Sequence, residues 1–469
     1  MSGRRGFGGL SEELKSSLLG AARKSAVRPA GSAGAEGERP AQPRRRRPSF
    51  EELPEYRDFK TQRAVADMLG VAFPFFRAHE SRAGATTVIG GRRLLNFASY
   101  DYCALNGRPE LAAAAAAAMD RYGMSASASR LVAGERDIHR RLEEAIARFL
   151  GVDDAVIFVS GHATNVSLIG QLLRPDDLLI HDALIHNSVL VGARLAGCAR
   201  RSFAHNDLDA LEAQLGEAAA HHERVLIVVE SHYSMDGDVP DLARLVEIRD
   251  RYGAWLMVDE AHGMGVLGHT GRGIAEMAGV DPRAVDIWMG TLSKTLSGCG
   301  GFVAGSPALV EYLKLTAPGF VYSVGVPPPV AAACLAALEI LDREPELVAR
   351  VNANARLFLD LARAAGLDTG TSEGWAIVPV MVGDSLRAAA LAGRLLERGI
   401  NALPILYPAV PERAARLRFF FTAEHTAEQI REAVAITAEE VEALVRSGIG
   451  IRAAAALAKA TRGSDAPGR

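Results

Sequence analysis

The sequence has few of the features that mark secreted, zinc-binding or membrane proteins. Its 469 residues include only four cysteines, which lie far apart and form no CxxC pair. That spacing predicts reduced thiols and argues against a disulfide framework or a metal site. No apolar run reaches the length of a membrane span, and no apolar signal-peptide core follows the start. We therefore expect a cytoplasmic protein that holds no metal.

The sequence also lacks a strong charge of either sign. Its formal net charge is −3, which gives no electrostatic argument for nucleic acid or a membrane surface as a partner. Apolar residues, in contrast, are plentiful. They make up 49% of the chain, enough for one large core or two smaller ones.

Composition divides the chain into five segments. The first is rich in Arg, Gly, Ala and Pro, with four consecutive arginines at 44–47, and cannot bury enough apolar surface to fold. Its basic run could contact an acidic partner or a carrier protein, although a solvated tail is the favoured interpretation. The predicted organisation is a disordered basic arm over 1–50, a helix and hairpin over 51–107, a large α/β domain over 108–340, a smaller C-terminal α+β domain over 341–446 and a flexible tail over 447–469.

Short apolar runs alternate with helical patterns through the large domain. Most of these runs are apolar throughout, as in strands covered by helices on both faces of a largely parallel sheet. The predicted fold class is therefore α/β, with a mostly parallel central sheet. The candidate strands are 155–159, 178–180, 225–229, 255–258, 287–289 and 302–304, with 377–380 and 417–421 in the smaller domain.

Polar side chains of complementary chemistry follow three of these strands. Ser234 follows the strand at 225–229, and Asp259 and His262 follow the strand at 255–258. Thr291 and Lys294 follow the strand at 287–289. Ligands bind at the carboxyl ends of strands in open α/β sheets, so these groups should converge. A lysine beside buried apolar sequence is costly unless it has a partner or a covalent use. One such use is a Schiff base with an aldehyde cofactor, because desolvation lowers the pKa of the amine.

Acid, imidazole, hydroxyl and lysine together are what a pyridoxal phosphate site needs. The phosphate also needs backbone amides at a helix N-terminus, which the turn at Gly161 can supply. Each residue alone has an ordinary structural interpretation: Asp259 as a turn residue, His262 as a buried structural histidine and His186 as a helix cap. Their combination at successive strand ends favours the cofactor site.

Four motifs resemble those of the α-oxoamine synthases, a family of fold-type I pyridoxal phosphate enzymes. They are His-Asn-Asp at 205–207, Ser-Met-Asp-Gly-Asp at 234–238, Val-Asp-Glu-Ala-His-Gly at 258–263 and Gly-Thr-Leu-Ser-Lys at 290–294. The resemblance spans about 55–445 and includes Tyr-Ser at 322–323 and Ala-Glu-His-Thr at 423–426. It implies a fold-type I transferase that binds pyridoxal phosphate at a homodimer interface.

The resemblance implies roles at the cofactor ring for five residues. Lys294 would carry the cofactor aldehyde and later move protons, and Asp259 would pair with the pyridine nitrogen. His262 would bond the ring hydroxyl, and Ser234 would also bond the cofactor. His186 would stack on the ring and contact the substrate carboxylate. Of these, all but Ser234 would be catalytic.

It implies a second set of residues for the phosphate, the substrate and the neighbouring subunit. The hydroxyl of Thr291 and the backbone amides of Gly161 and His162 would hold the phosphate. Arg418 would bind the carboxylate of the amino acid as a charge-assisted pair. Ser323 would reach the cofactor of the neighbouring subunit.

The activity implied is a decarboxylative condensation of an α-amino acid with an acyl thioester, which gives an α-aminoketone and CO₂. Phe420 stands where 8-amino-7-oxononanoate synthases carry a threonine that contacts substrate, which argues against biotin synthesis. The region of Arg418 is closer to the serine palmitoyltransferase branch. Residues 127–130 and 160–165 instead resemble synthase domains of polyketide assembly lines, whose acyl donor is a carrier protein. The acyl donor, coenzyme A or an acyl carrier protein, stays open, as do the amino acid and the acyl chain.

Two other functions stay open on the sequence. Another fold-type I enzyme, such as an aminotransferase or a lyase, would use the same cofactor without any thioester. A non-catalytic binding protein could keep the fold, although an intact set of Lys294, Asp259 and His262 speaks against it.

Overall fold

The computed structural model describes residues 46–450, and within them it has thirteen strands and fourteen α-helices. The predicted tail beyond 450 and the predicted basic arm up to residue 45 lie outside the described residues. The strands are β1 Thr86–Ile89, β2 Arg92–Asn96, β3 Asp154–Phe158, β4 Leu178–Asp182, β5 Ala199–Phe203, β6 Val225–Glu230, β7 Trp255–Asp259, β8 Ile287–Thr291, β9 Gly301–Gly305, β10 Ile377–Gly383, β11 Ile400–Asn401, β12 Leu403–Ile405 and β13 Ala415–Phe420.

Seven strands form the central sheet, in the order β3-β9-β8-β7-β6-β4-β5. All pairings are parallel except those of β9, which is antiparallel to β3 and β8. Successive residues of one strand, such as Leu178 and Leu179, pack into two separate apolar cores, one on each face of the sheet. Because both faces are covered, these strands are apolar along their whole length.

Half of the described α-helices begin at a polar residue whose side chain caps the first turn. The side chains of Ser160, Asp207, Asp241 and Asp384 each accept a hydrogen bond from a first-turn amide. The helices are α1 Pro54–Met68, α2 Pro109–Tyr122, α3 Asp137–Leu150, α4 Gly161–Leu172, α5 Asn187–Ala196, α6 Leu208–Ala218, α7 Leu242–Tyr252, α8 Ile274–Ala278, α9 Pro307–Thr316, α10 Pro318–Val321, α11 Pro328–Arg343, α12 Glu346–Ala364, α13 Ser385–Glu397 and α14 Ala427–Ser447.

Two smaller sheets lie beside the central one. One is antiparallel, in the order β10-β13-β12, and the other has the order β1-β2-β11. Four phenylalanine rings join these sheets to α12, with the rings of Phe358 and Phe419 4.7 Å apart and that of Phe97 5.5 Å from Phe419. This packing fixes β13, the strand that carries Arg418, against the rest of the protein.

The mostly parallel central sheet predicted from the sequence is confirmed. Every candidate strand has a counterpart, but β5 and the short strands β11 and β12 were missed. The residues Arg200, Arg201 and Ser202 of β5 are exposed at the edge of the central sheet, so this strand has no apolar run. The antiparallel direction of β9 was missed as well, since an apolar run does not reveal its direction. Among the described helices, none has the length and apolar character needed to cross a membrane.

Candidate functional site

The three polar strand ends meet at one edge of the central sheet. Strands β6, β7 and β8 are consecutive neighbours, with Glu230 opposite Asp259 and Asp259 opposite Met289. Lys294 lies in the turn that follows Thr291, the last residue of β8. Because the strands are parallel, their carboxyl ends bring the predicted acid, imidazole and amine together.

The amine of Lys294 lies between aromatic surface and carboxylates. Burial lowers the pKa of Lys294 from its ordinary 10.5 to about 8, although Asp259 and Glu230 raise it in part. Nζ lies 5.9 Å from the centroid of the Tyr100 ring. An amine with a pKa near 8 is neutral often enough to act as a nucleophile and as a base.

The turn that carries Lys294 is fixed on both sides by side-chain hydroxyls. Thr291 Oγ1 donates a hydrogen bond of 2.9 Å to the carbonyl of Gly300, and Thr295 Oγ1 donates one of 2.8 Å to the carbonyl of Met264. These bonds close the turn on itself and tie it to the segment after β7. Lys294 is therefore presented by a rigid element.

Asp259 accepts one hydrogen bond on each carboxylate oxygen, which leaves a lone pair on each oxygen for a further donor. Asn165 Nδ2 donates to Asp259 Oδ2 at 3.1 Å, and the amide of Ala261 donates to Oδ1 at 3.0 Å. Asn165 also donates to Ser188 Oγ at 2.9 Å, and Ser188 Oγ lies 2.7 Å from Nδ1 of His186. A chain of hydrogen bonds thus connects the carboxylate to the histidine that caps α5.

His262 is oriented by a buried tyrosine that belongs to none of the sequence motifs. The hydroxyl of Tyr102 lies 2.6 Å from Nδ1 of His262. Burial raises the pKa of Tyr102, so its hydroxyl stays protonated and donates a hydrogen bond to Nδ1. Burial, followed by the charge of Lys294, lowers the pKa of His262, which is therefore neutral with its proton on Nε2.

The N-terminus of α4 packs closely against β8 and β9. A Cβ atom at Gly161 would lie 3.1 Å from Thr291 Oγ1, and one at Gly301 would collide with Thr164. Gly161 and His162 are the first residues of α4, so their amides have no partner within the helix and can bind an anion. Thr291 Oγ1 donates its proton to the carbonyl of Gly300 and lies 2.8 Å from the hydroxyl of the exposed residue Ser293.

Arg418, on β13, connects the β10-β13-β12 sheet to the central sheet at the site. Its Nη1 donates a 2.7 Å hydrogen bond to the carbonyl of Ser234, and its guanidinium lies 4.9 Å from the centroid of the Phe420 ring. Nε of Arg418 is buried and has no hydrogen-bond partner among residues 46–450. Arg416 on the same strand pairs with Asp236. A guanidinium with an uncommitted buried edge is suited to bind a carboxylate.

Glu230 is a second buried carboxyl group beside Asp259. Its Oε2 accepts a 3.1 Å hydrogen bond from the amide of Ser234, while Oε1 has no partner within the described chain. Burial, and then the charge of Asp259, raises the pKa of Glu230 to about 8. Glu230 can therefore hold a proton at neutral pH close to Lys294.

The His-Asn-Asp motif lies behind the site and connects two of its loops. His205 Nδ1 and Nε2 lie 2.9 Å from carboxylate oxygens of Asp182 and Asp238, respectively. Burial would lower the pKa of His205, but the hydrogen bonds to these carboxylates outweigh it and raise the pKa to about 10. The charged imidazole therefore fixes the segment of Ser234 to the end of β4.

We expect His205→Gln to lower the Tm by about 2–4 °C at pH 6, with the deficit shrinking as the pH rises. The pKa of His205 is raised in the folded protein, so its stabilisation is complete below the ordinary value of 6.5 and is lost as the pH rises through about 10. Thermal unfolding of both proteins between pH 6 and 10.5 measures this. A deficit that does not change with pH would contradict a charged imidazole.

Ser323 is the predicted site residue that the structure does not bring to Lys294. It lies between α10 and α11, next to the bridge between Ser129 and Val324. In the described part of this single chain it makes no hydrogen bond with the other predicted site residues. The neighbouring Tyr322 is 85% exposed.

The structure also adds residues that no motif revealed. Tyr102, Asn165 and Ser188 orient the predicted histidines and the carboxylate through their side chains. Asn165 belongs to the run 160–165, but its side chain faces Asp259 only because α4 packs on β8. The tyrosine-rich segment 100–102 was the available signal for Tyr102, and only the fold connects it to His262.

A family model described as aminotransferase class I and II matches residues 92–436. The 8-amino-7-oxononanoate synthase of Symbiobacterium thermophilum is 40% identical over 353 residues, which is 75% of this chain and 90% of that protein. The family model spans strands β2 to β13.

Solved structures with the same fold include serine palmitoyltransferases. The enzyme of Sphingomonas wittichii has a TM-score of 0.80 and 30% identity, over 84% of this chain and 98% of that chain. A serine palmitoyltransferase with its pyridoxal phosphate internal aldimine has a TM-score of 0.80 and 29% identity, over 84% of this chain and 99% of that chain.

Proposed function

Because the chain belongs to the aminotransferase class I and II family, and within it to the α-oxoamine synthases, we propose that it joins an α-amino acid to an acyl thioester with loss of CO₂. It is a pyridoxal phosphate-dependent acyltransferase of that family. The main support from the structure is the amine of Lys294, whose pKa burial lowers to about 8 at the strand edge that also holds Asp259.

The residues present fit pyridoxal phosphate. Asp259 has a free lone pair on each oxygen for the ring nitrogen, and Nε2 of His262 can donate to the ring oxygen. The amides of Gly161 and His162, the first residues of α4, have no partner within the helix and can bind the phosphate. Bound there, the cofactor supplies an electron sink for the charge left on a substrate carbon when one of its bonds breaks.

The side chains then divide the remaining work. Nζ of Lys294 takes the proton from the α-carbon of the amino acid and later returns one, since its pKa near 8 suits both directions. The carboxylate of Asp259 would pair with the ring nitrogen. Arg418 binds the carboxylate of the amino acid through its uncommitted edge.

The proposed reaction balances with one proton taken from solvent and no other reactant besides the two substrates. The α-carbon of the amino acid forms a bond to the acyl carbon, and the thiol leaves with a proton. The carboxylate of the amino acid leaves as CO₂, and a proton takes its place on the α-carbon. Coenzyme A and a carrier protein satisfy this scheme equally, so the donor stays open between them.

We also propose that two copies of the chain assemble at the segment of Ser323. Apolar side chains are exposed on both sides of the bridge between Ser129 and Val324, among them Val132 at 81% and Met124 at 65%. Such a patch on a single chain is typical of an interface. In a dimer, Ser323 would approach the site of the other copy.

The test is release of free thiol and CO₂ from purified protein loaded with pyridoxal phosphate. Glycine, alanine and serine are combined with short and long acyl thioesters, on coenzyme A and on a carrier protein. We expect equal amounts of thiol and CO₂ from at least one pair and none when either substrate is omitted. Transfer of the amino group to a keto acid, without thioester use, would make the protein an aminotransferase.

A further inference from the structure

Two aromatic rings, Tyr100 and Phe420, pack against each other, the first beside Lys294 and the second beside Arg418; we call this pair the aromatic wall. Their centroids are 4.8 Å apart, with the rings nearly perpendicular at 81°. Nζ of Lys294 lies 5.9 Å from the centroid of the Tyr100 ring, and the guanidinium of Arg418 lies 4.9 Å from that of Phe420. The wall therefore lies against both the amine of Lys294 and the guanidinium of Arg418.

The aromatic wall has little freedom to move. The Tyr100 ring also packs edge-on against His262, with centroids 5.9 Å apart at 90°, and Tyr102 holds that histidine in turn. Phe420 is 3% exposed, and its amide donates a 2.9 Å hydrogen bond to the carbonyl of Phe97. Tyr100, in contrast, is 39% exposed, so one side of the wall is open.

We propose that the aromatic wall selects the amino-acid substrate by size and restricts it to glycine and alanine. The inference rests on the proposed function, since it places an amino acid between Lys294 and Arg418. The α-carbon must then lie between the two groups that the wall touches, and its side chain meets ring carbons. A methyl group fits against a ring, whereas a longer or branched chain needs a rigid ring to shift.

The wall also disfavours a hydroxyl on the side chain. The faces of the two rings offer no acceptor of normal strength, so a serine hydroxyl that lies against them loses its bonds to water with little return. Apolar pockets reject an added hydroxyl by up to about 100-fold and one extra methylene by about 10-fold or more. We therefore expect alanine to bind better than serine, 2-aminobutyrate and valine.

Amino-acid binding can be measured without any acyl donor, from the change in the absorption spectrum of the cofactor-loaded enzyme. We expect 2-aminobutyrate and valine to bind about 10-fold or more weakly than alanine. Tyr100→Ala should bring these ratios to within about threefold, whereas Tyr100→Phe, which keeps the ring, should leave them unchanged. Phe420→Ala removes the other half of the wall and should act in the same direction. Tyr312→Ala, a change on the surface, is the matched control.

The outcomes separate this inference from the proposed function. Tight binding of valine by the unaltered enzyme, or unchanged ratios in both alanine variants, would overturn the size selection. A spectral response to alanine with no thiol release from any thioester would remove the condensation and leave the selection standing. If no amino acid changed the spectrum, both would be overturned.

Discussion

Lys294→Ala is expected to abolish covalent capture of pyridoxal phosphate and to lower kcat by about 10³-fold or more. Lys294 is the amine at the site whose pKa is lowered, and the variant removes both the bond to the aldehyde and the group that moves the proton. Borohydride reduction of the loaded protein, followed by peptide mapping, should place the label on the peptide of residue 294. The variant should carry none there.

The pH dependence of capture gives an independent readout on the unaltered protein. Because the pKa of Lys294 is lowered to about 8, the neutral amine fraction, and with it the rate of capture, should rise as the pH increases and level off above about 8. An unperturbed lysine would level off near its ordinary 10.5. Lys60→Ala, on exposed α1, is the matched control and should retain both label and turnover. Full activity in Lys294→Ala would refute the cofactor assignment for this residue.

Much of the fold was predictable because the central strands obey one simple rule. A strand covered on both faces must be apolar throughout, so 225–229 and 287–289 could be recognised from composition alone. The edge strand β5 breaks that rule, since Arg200 and Arg201 face solvent. The direction of a strand depends on how the chain connects it to its neighbours in the sheet. The antiparallel direction of β9 therefore could not be predicted from its own residues.

The site was predictable to the extent that its residues sit at strand ends. Asp259 ends one apolar strand and Lys294 lies in the turn after a neighbouring one, so their convergence follows from the topology. The residues that support the site could not be predicted in this way. Tyr102 reaches His262 across 160 positions, and Asn165 reaches Asp259 across 94, so no local pattern connects them. The roles assigned to individual site residues stay predictions that the variants test.

Asp259→Asn is expected to leave cofactor capture intact while lowering kcat by about 10²–10³-fold. The variant keeps the shape of the side chain and, through Oδ1, a partner for the amide of Ala261. It removes the negative charge that favours a protonated pyridine nitrogen, so charge on the substrate carbon is stabilised less well. Exchange of the α-proton of the amino acid with deuterated water, followed by NMR without any thioester, isolates this step.

We expect the charge of Asp259 to affect the exchange rate more than the hydrogen bonds that hold its carboxylate. Asn165→Ala removes the donor to Asp259 Oδ2 but keeps the carboxylate charge, so its exchange rate should fall less than that of Asp259→Asn. Asp360→Asn changes an exposed carboxylate on α12 and should have no effect. If the Asp259→Asn variant exchanged the α-proton as fast as the unaltered enzyme, another group would have to pair with the ring nitrogen. Glu230 would then be the next candidate, because it is a buried carboxyl group opposite Asp259 with one oxygen unpaired within residues 46–450.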